Sequence, residues 1–466
     1  MQRCECANWR VENAPTGGLK IRQLAGRLDR TGRKCDNTCA MGKYHKRISD
    51  QMLAFKLEGA GAVLIEGVKW CGKTTTSEQI AQSKVYIDEI REQIGNLDVL
   101  QVNPAMALDG TPPHLIDEWQ LAPFLWDCVR HRVDHEDGLG RFILTGSSVP
   151  ADQSEIAHSG AGRFAWLKMR PMTLWESGES SGSVSLEKLF ADADFHAAAS
   201  NGMTLADVAF AACRGGWPKS IGLSRRAALQ QAYNYVDALV ERDISRVDGT
   251  LRDPVRARRL LRSYARLQGT QATASVLRAD LVANADGDNI KEDTIYSYLS
   301  AFRKLFAVED ARAWCANLRC KTPIRTTDTR YFVDPSIATA ALELGPDDLM
   351  SDLASFGFLF ETLALRDLRV YAESAFGEVC HFKDKQGREC DAVIRIRGGK
   401  YALVEIKLGG GALVEEGARA LNSLERLIDT GKSGRPTFKM VLVATGDYAY
   451  RRPDGVIVCP ITCLRP

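Results

Sequence analysis

No apolar run in this chain approaches the roughly 20 residues that a membrane-crossing helix needs, so no membrane contact is expected. The N-terminus lacks the charged start, apolar run and small-residue cleavage site of a secretory signal. Net charge is almost absent as well, because 61 Lys and Arg stand against 59 Asp and Glu. That balance excludes a protein that coats a polyanion by bulk charge, while leaving room for a local basic patch. Thirteen cysteines without a secretory signal read as reduced thiols, and a cytoplasmic location is the expectation. Metal-ligand spacing is lacking among them. Cys4, Cys6, Cys35 and Cys39 are spaced C-x-C and C-x-x-x-C rather than C-x-x-C, and no histidine adjoins them, which argues against zinc. Cys315, Cys320, Cys380, Cys390, Cys459 and Cys463 show no such spacing as a set and read as buried or incidental.

What is present is length: 466 residues predict two or three domains. Residues 1–42 are polar and basic and read as a disordered extension or a spurious one, with Met41 as the true start. Folded sequence begins with "MGKYHKRISDQMLAF".

"AVLIEG" (62–67) reads as a buried strand and "TTTSEQIAQ" from Thr74 as a following helix. Between them Gly67-Val68-Lys69-Trp70-Cys71-Gly72-Lys73-Thr74 is an unbroken G-x-x-x-x-G-K-[ST], with Thr75 next. Glycines let the backbone curl so that its N–H groups face phosphate oxygens, and the helix N-terminus adds partial positive charge. This predicts an ATP site in which Lys73 reaches the β- and γ-phosphates and Thr74 coordinates Mg²⁺. Such a loop needs an acid on a second strand end. "HLIDE" supplies Asp117 to hold Mg²⁺ through water and Glu118 to polarise the attacking water. A third strand, "RFILTGSS", delivers Thr145 and Ser147 at its C-terminal end, as sensors of γ-phosphate or water or as turn residues. Arg163, after Gly160-Ala161-Gly162, is the expected arginine finger on a neighbouring subunit's nucleotide, with Arg170 second.

Residues 227–266 read as helical by their 3–4 spacing. In "KEDTIYSYLSAFRKLFAVEDARAW" (291–314), Ile295, Leu299, Phe302, Leu305 and Phe306 share a helical face capped by Asp293 or Thr294. A strand follows from Phe306, and Arg303 and Lys304 on the polar side are candidates for DNA phosphates.

"FGFLFETLALRDLRVYA" (356–372) is an amphipathic helix with Glu361 inside its apolar stretch. Two strands then flank Gly398-Gly399, with Asp391 at the start of the first and Glu405-Ile406-Lys407 in the second. Alternation puts Glu405 and Lys407 on one face. Glu, then Asp-x13-Glu-x-Lys, suits metal-dependent phosphodiester cleavage. Asp391, Glu405 and the Ile406 carbonyl would hold Mg²⁺, Lys407 would orient or deprotonate the nucleophile, and Glu361 would add a ligand or orient the site. His381 beside it reads as structural. "MVLVATGDYAYRRPDGVIVCPI" adds two strand-like runs around an Arg451-Arg452-Pro453 turn.

Together "GVKWCGKT", "LIDEWQ", "FILTGSS", "HSGAGR", "RPMTLWESGES" and "CRGGWP" resemble a large family of predicted AAA-like ATP-binding proteins of bacteria and archaea that carry a C-terminal domain of unknown function. The resemblance runs from about Tyr44 to at least Gly410. It implies an α/β protein: an AAA-like parallel-sheet ATPase domain (43–220), a helical and winged-helix region (221–345) and a nuclease-like α/β domain (346–466). The last segment resembles the PD-(D/E)XK nuclease fold. The resulting expectation is a Mg²⁺-dependent ATPase coupled to a DNA-directed, nuclease-like domain. Its rival is a nucleotide-gated switch whose silent C-terminal domain binds a protein or DNA partner. AAA-like relatives suggest assembly into a homo-oligomer.

Overall fold

The computed structural model describes residues 10–13, 19–22, 44–150, 159–192, 195, 197–284, 290–314, 327–428 and 434–466. Cys4, Cys6, Cys35, Cys39, Cys315 and Cys320 lie outside these. Residues 1–45 form one unit, in which β1 (Arg10–Asn13) and β2 (Leu19–Arg22) pair antiparallel. Residues 46–466 form the other.

In the larger unit, β3 (Ala62–Glu66), β4 (Ser83–Tyr86), β5 (His114–Asp117), β6 (Phe142–Gly146) and β7 (Phe164–Lys168) make a parallel sheet in the order β4-β5-β6-β3-β7. β3, β5 and β6 are buried almost throughout, as continuous Val, Ile and Leu runs predict for strands covered on both faces. One face packs on the helix Ile48–Gly59, through Met52, Leu53 and Leu57. Trp119, Leu125, Trp126 and Val129 belong to the cluster on the other.

A seven-stranded mixed sheet ends the chain. β8 (Val184–Ser185) and β9 (Ala197–Ala199) come first in sequence, then β10 (Glu378–Lys383), β11 (Glu389–Arg395), β12 (Tyr401–Lys407), β13 (Lys439–Val443), β14 (Tyr448–Arg451), β15 (Val456–Pro460) and β16 (Leu464–Arg465). The order is β10-β11-β12-β13-β15-β14-β9, with β8 pairing separately with β16. Strict alternation divides the side chains. Ala392, Ile394, Ala402 and Val404 join the cluster of the long helix Leu353–Ser374, while Val393, Leu403 and Val441 join that of the helix Gly411–Leu427.

Several expectations change here. β8 and β9 fall within 43–220, yet they pair with C-terminal strands. The last segment holds three strands, not two, because Tyr448–Arg451 folds back antiparallel on β15. The helical stretch 227–266 is broken. The helix Arg225–Ala238 runs through a π-turn, Leu239–Asp243, into Ile244–Arg246, and the next helix starts at Pro254. Gly249 at positive φ and the proline end the first run. The helix Glu292–Lys304 starts from Lys291, with neither Asp293 nor Thr294 as its cap. After it, Val308 bridges Phe332 and Ala311 bridges Thr329. Arg303 and Lys304 are committed to Asp310 and Asp248, at 2.7 and 3.3 Å. Among the described residues no helix is long and apolar enough to cross a membrane.

Candidate functional site

The loop 67–74 leaves the C-terminal end of β3 and enters the helix Lys73–Glu78. Gly67 is dictated by close approach, since a Cβ there would sit 2.0 Å from the Met169 carbonyl oxygen. Gly72 holds φ +103°, a left-handed conformation that favours glycine. Val68 and Cys71 are buried and pin the loop from below, with the Cys71 thiol 3.5 Å from the Met169 carbonyl. Thr75 is exposed on the first turn of the helix. The buried Lys73 ammonium donates to its own loop carbonyls, Gly67 O at 2.8 Å and Val68 O at 3.0 Å.

Register brings the partners in. Asp117 at the end of β5 lies beside Thr145 of β6. Asp117 Oδ1 accepts hydrogen bonds from Thr74 Oγ1 at 2.8 Å and from Thr145 Oγ1. Burial pushes the Asp117 carboxyl up, against the lowering effect of the two hydroxyls. The Thr74 hydroxyl and the Asp117 carboxylate are one hydrogen bond apart beside the loop, which fits a Mg²⁺ held by Thr74 with Asp117 behind it. Glu118 turns out of the strand with φ +56°, and its Oε2 accepts from Ser147 Oγ at 2.9 Å and from Gln120 Nε2. All the expected ATP-site residues except Arg163 therefore meet at one end of the sheet.

Arg163 stands at the other end. Its carbonyl accepts from Ala62 N, at the start of β3, and its Nε donates to Asp134 Oδ1 at 2.7 Å. Within its own chain it is remote from the loop, because β3 and β7 run parallel and the loop follows their far end. Arg170 is likewise spent on Glu309 and Glu373.

Asp243, Tyr235 and Arg47 contribute with no motif to announce them. Asp243, in the π-turn, accepts from Lys69 Nζ of the loop at 2.6 Å. With Arg246, Glu118 and Ser147 it lines a cavity of about 870 Å³. An acid within the helical run "VERDISR" is the only signal the sequence offered, and π-turns recur at functional positions. Trp70, at φ +66°, meets Tyr235 edge-on at 5.8 Å, and Tyr235 stacks on Trp217 at 4.6 Å. Arg47 donates to the Cys71 carbonyl at 2.8 Å, to the Arg170 carbonyl at 2.9 Å and to Glu176 at 2.9 Å.

The C-terminal carboxylates gather around a second cavity, of about 420 Å³, lined by Glu361, Asp391, Ile406, Lys407, Tyr331 and His381 among others. Asp391 Oδ2 accepts the Ile406 N–H at 2.7 Å, and Lys407 Nζ lies 3.1 Å from Glu405 Oε2, so both share a face as expected. Burial raises Asp391, and burial with the Asp391 charge raises Glu405 well above the usual range. The Lys407 ammonium is raised by Asp391 and Glu405 in spite of its burial. The half-buried Asp391 and the buried Glu405 are a donor pair that a divalent cation would relieve. Glu361 lines the same cavity as Asp391 and Lys407. It belongs to the helix that packs on the other face from Glu405, which lies against Gly417, and it accepts the Tyr331 hydroxyl. Among the described residues no three His, Cys, Asp or Glu side chains close on one metal position. His381 Nε2 lies 3.2 Å from the Thr327 carbonyl and burial lowers its pKa, in keeping with a structural role.

Burial, then repulsion by Asp391, pushes Glu361 up to about 8. The folded state therefore holds a proton that the unfolded chain releases near 4.5. Stability should fall as pH rises from about 5 through about 8, with the raised Asp391 and Glu405 carboxyls adding to the decline, by proton linkage. Urea midpoints across that range should show the decline, and Glu361→Gln should make it shallower; an equal slope in the variant would assign the titration elsewhere.

Residues 60–177 match the family model of the AAA domain. With the parallel sheet and its loop, this makes the N-terminal region a P-loop ATPase-like domain. Residues 205–348 and 356–464 match two domains of unknown function, DUF8612 and DUF4143. Uncharacterized proteins of Mycobacterium tuberculosis (strain H37Rv) and Mycobacterium bovis are each 22% identical over 406 residues, covering 87% of this chain and 81% of theirs. Two solved structures are similar. One is a Walker-type ATPase of Pyrococcus abyssi, 15% identical, with 64% of this chain and 96% of that one covered and a TM-score of 0.39. The other is the ORC2 protein of Aeropyrum pernix in ADPNP and ADP complexes, 16% identical, with 68% and 97% covered and a TM-score of 0.29.

Proposed function

We propose that this chain is a Mg²⁺-dependent ATPase whose nucleotide state is coupled to a DNA-directed, nuclease-like C-terminal domain. The observation that carries the ATPase reading is the convergence of Thr74 and Thr145 on Asp117, beside Glu118 held by Ser147. Bound Mg²⁺ would neutralise the phosphates. Lys73 would leave its loop carbonyls for phosphate oxygens, Glu118 would take the proton of the attacking water, and Ser147 would keep the Glu118 carboxylate aimed. Arg91 and Arg246, both in the wall of the same cavity, are the arginines that could meet a γ-phosphate in their own chain. A second arginine from a neighbouring subunit's Arg163 belongs to the oligomer reading.

The C-terminal half of the proposal rests on the half-buried Asp391 and the buried Glu405, with Lys407, at one strand end. A metal there would rest on those two carboxylates and the Ile406 carbonyl. Purified protein with Mg²⁺ and ATP should nick DNA, and Asp391→Asn should reduce nicking by at least about a hundredfold, since a lost metal ligand removes the activated water. ATP turnover should rise with duplex or single-stranded DNA.

The nucleotide-gated switch is the second reading. It is favoured by Lys407 being tied to Glu405 and Asp391 to a backbone N–H, which leaves both groups already partnered. Strong ATP affinity, slow turnover and salt-sensitive DNA binding without cleavage would select it.

A further inference from the structure

A third cavity, of about 550 Å³, lies apart from both carboxylate sites, where three parts of the chain meet. Lys168 and Arg170 come from the end of β7, Glu309 from the segment after the helix Glu292–Lys304, and Arg369 and Glu373 from the long helix Leu353–Ser374. Glu309 is contested. Both its oxygens accept from Arg170, at 2.9 and 2.8 Å, and Lys168 Nζ lies 2.9 Å from Oε1. Glu373 takes the remaining Arg170 nitrogen at 2.7 Å. Arg369 is left at 3.9 Å from Glu309, beyond hydrogen-bond reach.

The Arg369 residue is only 6% exposed, and its Nη2 has no hydrogen-bond partner. The guanidinium lies over the Tyr331 ring, 5.8 Å from its centroid, but a buried cationic N–H without an acceptor is costly, so an anion that reached it would be favoured. Five cations, Lys168, Arg170, Arg303, Arg312 and Arg369, and five carboxylates, Glu309, Asp310, Asp328, Glu373 and Glu378, line the cavity, so the unpartnered guanidinium N–H, rather than net charge, is what points to an anion. Burial lowers the Arg369 and Lys168 pKa values, with the Glu309 charge opposing the fall and the weaker effect of Arg170 adding to it in both cases. The exposed guanidiniums of Arg303 and Arg312 line the same cavity.

We propose that this cavity binds a phosphate group, with Arg369 Nη2 and Lys168 Nζ as its inner donors and Arg312 as an outer one. Several acceptor oxygens on one centre suit donors that converge from different elements, and planar guanidinium is the side chain best matched to phosphate oxygens. A carboxylate, with its charge spread over two oxygens, would leave one of the three donors unmet. The phosphate can come from free orthophosphate or from a nucleic-acid backbone. The site stands whether or not the C-terminal carboxylates cleave anything.

The test uses the full chain saturated with ADP and Mg²⁺, so that the nucleotide loop is filled. Inorganic phosphate is titrated calorimetrically, and a labelled single-stranded oligonucleotide is followed by anisotropy. Phosphate should bind saturably, and Lys168→Met and Arg312→Gln should each weaken it by about tenfold, the loss expected for one charge-assisted hydrogen bond. Arg369→Lys, which keeps the charge but removes Nη2, should do the same if it folds; Lys168→Met and Arg312→Gln decide the matter if it does not. Competition between oligonucleotide and phosphate would identify the backbone as the source, and its absence would identify free phosphate. No saturable phosphate binding, or binding indifferent to Lys168→Met and Arg312→Gln, overturns the proposal.

Discussion

Lys73→Ala should abolish ATP binding while leaving the fold standing. The ammonium is buried at the mouth of the loop and touches only loop carbonyls, Gly67 O and Val68 O, so its removal leaves no carboxylate unpaired. In the nucleotide complex it would supply two charge-assisted hydrogen bonds at about 1.5–3 kcal/mol each, which corresponds to a loss of roughly 10²–10⁴ in affinity. Calorimetric titration of ATP with Mg²⁺ reads the loss, and an unchanged melting temperature without nucleotide separates it from misfolding. Hydrolysis at the wild-type rate in this variant would remove the loop from the mechanism. Glu118→Gln is the complementary change. It should keep ATP affinity and slow turnover by about 10²–10⁴, the range of a positioned general base.

Arg47→Met should produce the largest loss of stability, about 3–5 kcal/mol. The Arg47–Glu176 pair is closed to water, with side-chain exposures of 3% and 1%. Without the guanidinium, Glu176 retains hydrogen bonds from Ile48 N and Thr173 N but loses its counter-charge, while the Cys71 and Arg170 carbonyls lose a donor. Because Cys71 belongs to the nucleotide loop, ATP affinity should fall together with the urea midpoint. A shift of less than about 1 kcal/mol, with ATP affinity intact, would refute the clamp.

The nucleotide loop was legible because its chemistry is local. Glycine placement, one lysine and one hydroxyl must be consecutive, and a strand must precede them. Asp117, Glu118, Thr145 and Ser147 were legible for a related reason, since each sits at a strand end whose apolar run is readable in sequence. Sequence shows that glycines surround Arg163 but not which end of β7 it occupies, so its remoteness from the loop of its own chain was not legible. Arg47, Asp243 and Arg246 left no pattern at all. Their roles arise from contacts across long stretches of chain, such as the 174 residues separating Lys69 from Asp243. Glu361 was recognised as an unusual acid in an apolar helix, yet only packing decides the sheet face its helix covers. The pairing of β8 and β9, which fall within 43–220, with strands of the last segment was not legible either, because strand pairing across such a separation leaves no local pattern.

Those two short strands have a consequence for how the molecule is made. The segment that carries them leaves the ribosome far ahead of its partners; Ser180 bonds to Leu464, 284 residues later. Closing a loop of that length costs about 5 kcal/mol in chain entropy, and it can be recovered only when the last strands are present. Until then β9 offers an unpaired edge, and the nascent ATPase region carries a strand belonging to another sheet. Synthesis should therefore pass through a long interval in which the first sheet can form but the unit cannot close, so folding waits for the final few residues of the chain.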